Sequence, residues 1–381
     1  MAIIEDIEKR KRITSVDALR GLFMILMALD HTRDFLNDSA RLFSPEDLSR
    51  TTTAIFLTRW ITHFCAPTFM FTAGIGAFLW LGAKRTTKQL GLFLETRGLW
   101  LVLLELTAMR FALGFSLTYQ PVVLLVLWVL GLSMILLGFL VRLPVRLLAI
   151  LSLLTISLHN LLDPIPAASF GAWSGLWNVL HQSGMVAGYP VLVGYPLVPW
   201  FAVMASGYCF GIVVKQHRTG LMICIGGSLT LAFVLLRTVN VYGDPRPWTS
   251  SLLSFLNCTK YPPSLEFLLM TLGPAILVLA GFSRMGFRDA NPLIVFGRVP
   301  LFFFILHFLA IHVLAVVLAW FRYGQIYLLN PLPGQAVPPG YGYSLPVVYL
   351  IWAAIAIAFY PLCRWFARVK ARRDDWWLSY L

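Results

Sequence analysis

Residues 15–36 read SVDALRGLFMILMALDHTRDFL, and the fold follows from this stretch. An apolar run, LFMILMAL (22–29), is flanked by ionisable residues on both sides. At about 1.5 Å per residue the 22 residues span roughly 33 Å as a helix, enough to cross a bilayer's hydrocarbon core. Asp17, Arg20, Met24, Met27, His31 and Asp34 recur at alternating steps of three and four. That period places them on one stripe of a single helix. Arg20 and His31 therefore share a face, about 16 Å apart along the axis.

The rest of the chain agrees with a membrane setting. Of 381 residues, 59% are apolar and only 12% charged, and the mean hydropathy is +0.77. A soluble domain carries roughly twice that charged fraction. Disordered chains and secreted disulfide scaffolds are excluded on the same ground. The five cysteines (65, 209, 224, 258 and 363) form no paired motif, so no disulfide framework or metal site is expected. Ten apolar stretches are long enough to span: 16–36, 54–81, 97–113, 121–141, 145–162, 192–214, 219–240, 264–282, 296–321 and 345–366. Lipid satisfies no backbone donors, so these read as helices, and the fold class is an all-α polytopic bundle.

Charge sets the expected orientation. With the N-terminus in the cytoplasm, most of the 30 Lys and Arg residues fall on cytoplasmic segments. The outer loops 114–120 and 163–191 hold neither Lys nor Arg. This alternation obeys the positive-inside rule and places both chain ends inside. It also accounts for the net charge of +13 without nucleic acid. The first apolar stretch lacks an Ala-x-Ala cleavage site after it and reads as a retained helix rather than a signal peptide. One transmembrane domain is expected over 1–381, with a cytoplasmic segment at 1–15 and a cytoplasmic tail at 367–381.

Ionisable residues inside a membrane cost a few kcal/mol on insertion scales and are functional candidates. The segment Asp30-His31-Thr32-Arg33-Asp34 needs partners or an aqueous cavity. The second span supplies Arg59 and His63, four apart on one face. The third adds Glu105 at mid-depth and Arg110 toward the outer side. The ninth carries His307 and His312, about 140° apart around the helix and so poorly placed to share a metal. His312 reads as a packing residue, and Arg20 alternatively as a side chain snorkelling to the interface. Soluble-enzyme signatures such as GxxxxGK[ST], HExxH and GxSxG are absent from the sequence. Gly207 and Gly211 read as helix packing, and Trp173, Trp177 and Trp248 as an interfacial belt.

Asp17, Arg20 and His31 on a first membrane helix resemble the Asp-x-x-Arg-x10-His arrangement of type 3 membrane acyltransferases. A wider resemblance rests on RITSVDALRG (12–21), MALDHTRDF (27–35), LTRWITHFCAPTFMFTAG (57–74), YPLVPWFAVMASGY (195–208), TKYPPSLEFLLMTLGP (259–274), FGRVPLFFFILHFLAIH (296–312) and DWWLSYL (375–381). These look like the bacterial membrane proteins related to heparan-alpha-glucosaminide N-acetyltransferase. The resemblance implies transfer of an acyl group from cytoplasmic acyl-CoA, a co-substrate rather than a bound cofactor, to a glycan or amino-sugar acceptor across the bacterial cytoplasmic membrane. In the enzyme that names the family, an asparagine stands where His31 stands here, and the acyl-carrying histidine is proposed in the following loop. The corresponding loop here, 37–53, has no histidine, so that mechanism does not carry over directly.

Acyl transfer needs a base and stabilisation of an oxyanion. On this reading His31 is the base, oriented by Asp34 or Asp30, and Arg59 or His63 meets the oxyanion. Arg20, Asp17, Glu105, Arg110, Lys260, Arg298 and His307 are the expected donor- and substrate-binding groups, with no metal. Two rival readings share these residues: a proton-coupled carrier, disfavoured because no inverted repeat is visible, and a non-catalytic assembly protein. A homodimer is compatible with the sequence.

Overall fold

The computed structural model describes residues 13–82, 85–117, 120–329, 337–373 and 375–380. Most of the N-terminal polar segment (1–12) and Lys84 lie outside them. The helices in chain order are α1 (Thr14–Leu36), α2 (Thr53–Thr62), α3 (Cys65–Leu81), α4 (Thr87–Leu104), α5 (Arg110–Gly114), α6 (Val126–Leu140), α7 (Val145–Leu158) and α8 (Ser174–Leu180). They continue with α9 (Trp200–Lys215), α10 (Thr219–Val239), α11 (Leu252–Leu256), α12 (Leu265–Phe282), α13 (Pro292–Arg298), α14 (Pro300–Tyr323) and α15 (Leu345–Arg372). Six spans among the described residues are long and apolar enough to cross a membrane, counting α2 and α3 as one continuous span. The chain is a membrane-type helix bundle.

α1 is the hub. It packs against α2, α3, α12, α13, α14 and α15. Glycine permits its closest approach: a methyl group on Gly21 would overlap the carbonyl of Leu293, and one on Gly297 would overlap the carbonyl of Asp17. α1 and α13 therefore touch backbone to backbone. α10 and α15 lie at the periphery, with apolar side chains such as Leu235 and Ile357 turned outward. Helix starts follow local rules. Thr86 and Gln89 form a reciprocal capping box on α4, and Asn291 caps α13 with Pro292 in its first turn.

Several expected spans are modified. The span 54–81 breaks at His63–Phe64. The helix expected from 97 starts at Thr87 and passes through a π-helical turn, Glu105–Met109, before α5. The spans expected from 121 and 192 open as strands: β1 (Val122–Leu124) pairs parallel with β3 (Val191–Val193), and β2 (Gly184–Met185) pairs antiparallel with β3. Valines following Pro121 and Pro190 explain this, since proline withholds the N–H a helix needs and β-branched residues suit strands. The span 296–321 divides at Val299 between α13 and α14.

Candidate functional site

A cavity of about 320 Å³ opens among α1, α3, α4, α6, α13, α14 and α15, within the usual range for small-molecule sites. The predicted stripe on α1 forms one wall through Arg20, Met24 and Met27. Four cations line the cavity: Arg20, Arg97, Arg298 and Lys370. Its remaining surface is largely apolar and includes Leu127 and Phe304. Arg20 is held in place. Its Nη2 donates to the Thr72 carbonyl, and the absence of a side chain at Gly76 makes room for it: a Cβ there would lie 2.6 Å from Nη2. Asp17 sits beneath two of the cations, 4.0 Å from Arg20 Nη1 and 3.9 Å from Arg298 Nε. Arg298 also donates to Asp289 at 2.6 Å.

Phe304 connects this cavity to His31, their ring centroids 5.9 Å apart. His31 and His307 stack at 5.1 Å, with His31 Nδ1 2.9 Å from His307 Nε2. His307 Nδ1 lies 2.6 Å from the Phe303 carbonyl. A carbonyl only accepts, so in the neutral pair His307 carries its proton on Nδ1 and presents a lone pair at Nε2. His31 then donates from Nδ1, and its own Nε2 keeps a lone pair. The residue orienting His31 is thus His307, fixed by a backbone carbonyl, whereas Asp30 and Asp34 were expected in that role.

The two aspartates belong to a neighbouring charge cluster. Asp30 accepts from Arg59 Nη1 at 2.8 and 3.0 Å, from Thr62 Oγ1 at 2.8 Å and from Arg33 Nη2 at 2.9 Å. Arg33 also holds Asp34 at 2.6 Å. Arg59 Nε donates to Glu46 at 3.0 Å, and His63 Nε2 lies 2.9 Å from the same carboxylate oxygen. Burial pushes the Glu46 carboxyl up, but the Arg59 guanidinium and the His63 hydrogen bond outweigh it. Its pKa lies well below the usual carboxylate value. Arg59 therefore straddles two carboxylates.

The structure pairs His31 with His307, gathers Asp30, Asp34, Arg59 and His63 in the neighbouring charge cluster, and places Arg20 and Arg298 on the cavity wall with Asp17 beside them. It does not bring Glu105 or Arg110 there. Glu105 Oε2 accepts from the Leu127 and Trp128 amides at 2.7 and 3.1 Å, capping α6 with a carboxylate. Arg110 donates to the carbonyls of Gln120 and Pro121. Both ring nitrogens of His312 approach carbonyls, those of Ala112 and Leu328, in keeping with packing. Sequence reasoning missed Glu46, Arg97 and Lys370 as site residues. Arg97 and Lys370 count in the sequence only among the basic residues of the cytoplasmic segments, and no spacing rule points to Glu46.

Such a bundle is that of a multi-pass membrane protein, and its basic-lined cavity reaches Phe304, whose ring packs against the half-buried His31. Residues 12–238 match the family model described as heparan-alpha-glucosaminide N-acetyltransferase, catalytic. The match covers more than half of the chain, and the chain belongs to this family. It includes Arg20, His31, Arg59, His63 and Arg97, while Lys260, Arg298, His307 and Lys370 lie beyond it. No curated protein matches the chain.

Proposed function

We propose that the protein moves an acyl group, acetyl in the first instance, from cytoplasmic acyl-CoA to a glycan or amino-sugar acceptor at the outer side of a bacterial cytoplasmic membrane. The observation that carries this reading is the single cavity joining four cations to Phe304, whose ring lies against His31. Membership of an acetyltransferase family supports the reaction class. Arg20, Arg97, Arg298 and Lys370 would meet the phosphates of the donor. Met24, Met27 and Leu127 would flank its pantetheine arm. The thioester would then lie beside His31. The acceptor's nucleophile attacks the thioester carbon while its proton passes to His31 Nε2. The C–S bond breaks, and the thiolate leaves with that proton as free CoA.

Ten spans with both chain ends in the cytoplasm form part of the same proposal. The gathering of cations at one end of α1 and of the His31 cluster at the other supports it. A proton-coupled carrier would also use such histidines, but it gives no reason for a basic-lined cavity that ends at Phe304 against His31. The test is release of free CoA from acetyl-CoA by the purified protein, with glucosamine and a neutral oligosaccharide as probe acceptors. Turnover is expected, and its loss in folded His31→Ala. Failure of the wild type to consume acetyl-CoA with either probe, combined with proton-driven uptake in vesicles, would replace this reading by the carrier.

A further inference from the structure

Two hydrogen-bond acceptors stand open on one face of α1, and the chemistry above uses only one of them. At this end of the helix Thr32, Arg33, Phe35 and Leu36 are buried, whereas His31 and Asp34 are half-buried. His31 and Asp34 are three residues apart, so they share a face about one turn from each other. His31 Nδ1 is taken by His307, and Asp34 Oδ1 by Arg33 Nη2 at 2.6 Å. Their remaining acceptors, His31 Nε2 and Asp34 Oδ2, have no hydrogen-bond partner among the described residues, and neither atom is buried. The Asp34 side chain is 42% exposed, yet it is held in place. The Arg33 guanidinium that holds it is 2% exposed and bonds through the same Nη2 to Asp30, itself fixed by Arg59 and Thr62. Arg33 Nε and Nη1 are buried without a partner. Leaving such donors unmade is costly, so the hydrogen bonding of Arg33 alone does not account for its burial. What its position does is fix an accessible carboxylate beside the candidate base.

Acyl transfer to a sugar gives that carboxylate a use. We infer that Asp34 is the specificity-determining residue for the acceptor: its Oδ2 accepts a hydrogen bond from the hydroxyl adjacent to the acceptor's reacting group, while that group faces His31 Nε2. The inference rests on the acyl-transfer reading above. The ligand it selects is a ring with neighbouring donors, a 1,2-amino alcohol or 1,2-diol. Helical spacing puts the Cβ atoms of His31 and Asp34 about 5–6 Å apart, so the two side chains can take adjacent groups of one ring. In the step, the nucleophile bonds to the thioester carbon and its proton goes to His31 Nε2. The C–S bond breaks, and the sulfur takes that proton. The adjacent hydroxyl stays on Asp34, and none of its bonds is made or broken. A carboxylate accepts this hydrogen bond more strongly than a neutral group does. A molecule that lacks the hydroxyl leaves Oδ2 unpaired and is rejected on that ground. Asp30 cannot serve in this way, because both of its oxygens are taken, by Arg59, Arg33 and Thr62.

The experiment measures kcat and KM for methyl glucosaminide, for its 3-deoxy analogue and for acetyl-CoA in wild type, Asp34→Ala and Asp34→Asn, with thermal melts on each. The analogue lacks only a hydroxyl beside the amine. The wild type is expected to prefer the parent sugar by about 10- to 150-fold in kcat/KM, the worth of one charge-assisted hydrogen bond. Asp34→Ala should treat both sugars alike, with KM for acetyl-CoA unchanged. Asn keeps an oxygen for Arg33, serves should Ala fail to fold, and should shrink the preference to a few-fold. Absence of any preference in the wild type would overturn the inference. So would the full preference persisting in a folded variant, or an equal loss with both sugars, which would make Asp34 a support for the charge cluster. Should the wild type acetylate only a neutral oligosaccharide, the same variants are read on that acceptor. A rise in its KM of about tenfold or more supports the inference, and an unchanged KM overturns it. Failure of the wild type to consume acetyl-CoA with every acceptor rejects the acyl-transfer reading itself, and this inference with it. Wild-type turnover alongside unaltered variants rejects the inference alone.

Discussion

His307 offers the sharpest test of the site, because its part in the proposed chemistry is indirect. Its Nε2 is the acceptor that fixes the His31 proton on Nδ1, and its own tautomer is fixed by the Phe303 carbonyl. His307→Leu fills a similar space but supplies no acceptor. The His31 Nδ1–H is then left unsatisfied in a partly buried setting, against His307's fully buried side, at a penalty of about 1–3 kcal/mol. The ring escapes that penalty by moving its proton to Nε2, which removes the lone pair from the side that needs it. With about 1.4 kcal/mol per tenfold in rate, the expected loss in kcat is roughly five- to 150-fold. His307→Gln places an amide oxygen near the position of Nε2 and should recover most of the rate. The assay is CoA release followed with a thiol-reactive dye, paired with thermal melts. A packing role would lower the melting temperature without separating Gln from Leu. Wild-type kcat in His307→Leu, or equal impairment of both variants, would refute the relay.

Three further outcomes follow from the same geometry. Gly76→Ala pushes the Arg20 guanidinium aside, since the new Cβ would lie 2.6 Å from Nη2. KM for acetyl-CoA should rise by about tenfold, the loss of one charged hydrogen bond, with kcat retained, and an unchanged KM would count against a donor role for Arg20. The depressed Glu46 carboxyl has a folded pKa below its unfolded one, so its stabilisation is complete above about pH 4.3 and is lost as pH falls through the folded value. Thermal melts should fall more steeply with acid below that point in wild type than in Glu46→Gln, and parallel curves would contradict the assignment. Arg237→Met should destabilise by about 3–5 kcal/mol. It strands Glu266, 2.8 Å from Nη1, together with the carbonyls of Arg246, Ser254, Phe255 and Asn257. A melt in detergent checks this, and adding Glu266→Gln should recover part of the loss.

What the sequence revealed and what it concealed divide along a physical line. The α1 stripe was legible because helical period is a local property: Arg20, Met24 and Met27 do line one cavity. The neighbourhood of Arg59 and His63 was legible because four residues make one turn. The His31–His307 bond was not, since it joins residues 276 apart in sequence. Nor was Glu46, which stands in an irregular loop and reaches Arg59 and His63 only after folding. Glu105 misled because a carboxylate at mid-depth in an apolar run looks functional. Its partners are amides at the start of α6, which only the tertiary structure supplies.

The placement of both halves of the site on α1 has a mechanical consequence. Arg20 at one end and His31 at the other are separated by three helical turns, about 16 Å. Their separation is fixed by intrahelical hydrogen bonds rather than by loop geometry. The helix is also clamped where the cations sit, through the contacts of Gly21 with Leu293 and of Gly297 with Asp17. α14 follows α13 directly and carries Phe304 and His307. One clamp thus sets the register of both walls, Arg20 with His31 on α1 and Arg298 with His307 across α13 and α14. For a transferase whose donor enters at one end and whose acceptor arrives at the other, this register defines how far into the membrane a thioester reaches when its phosphates are held. A substitution that tilts α13, such as Gly297→Ala, would therefore alter donor binding at the cavity that Gly297 lines and, through α14, the His31–His307 distance.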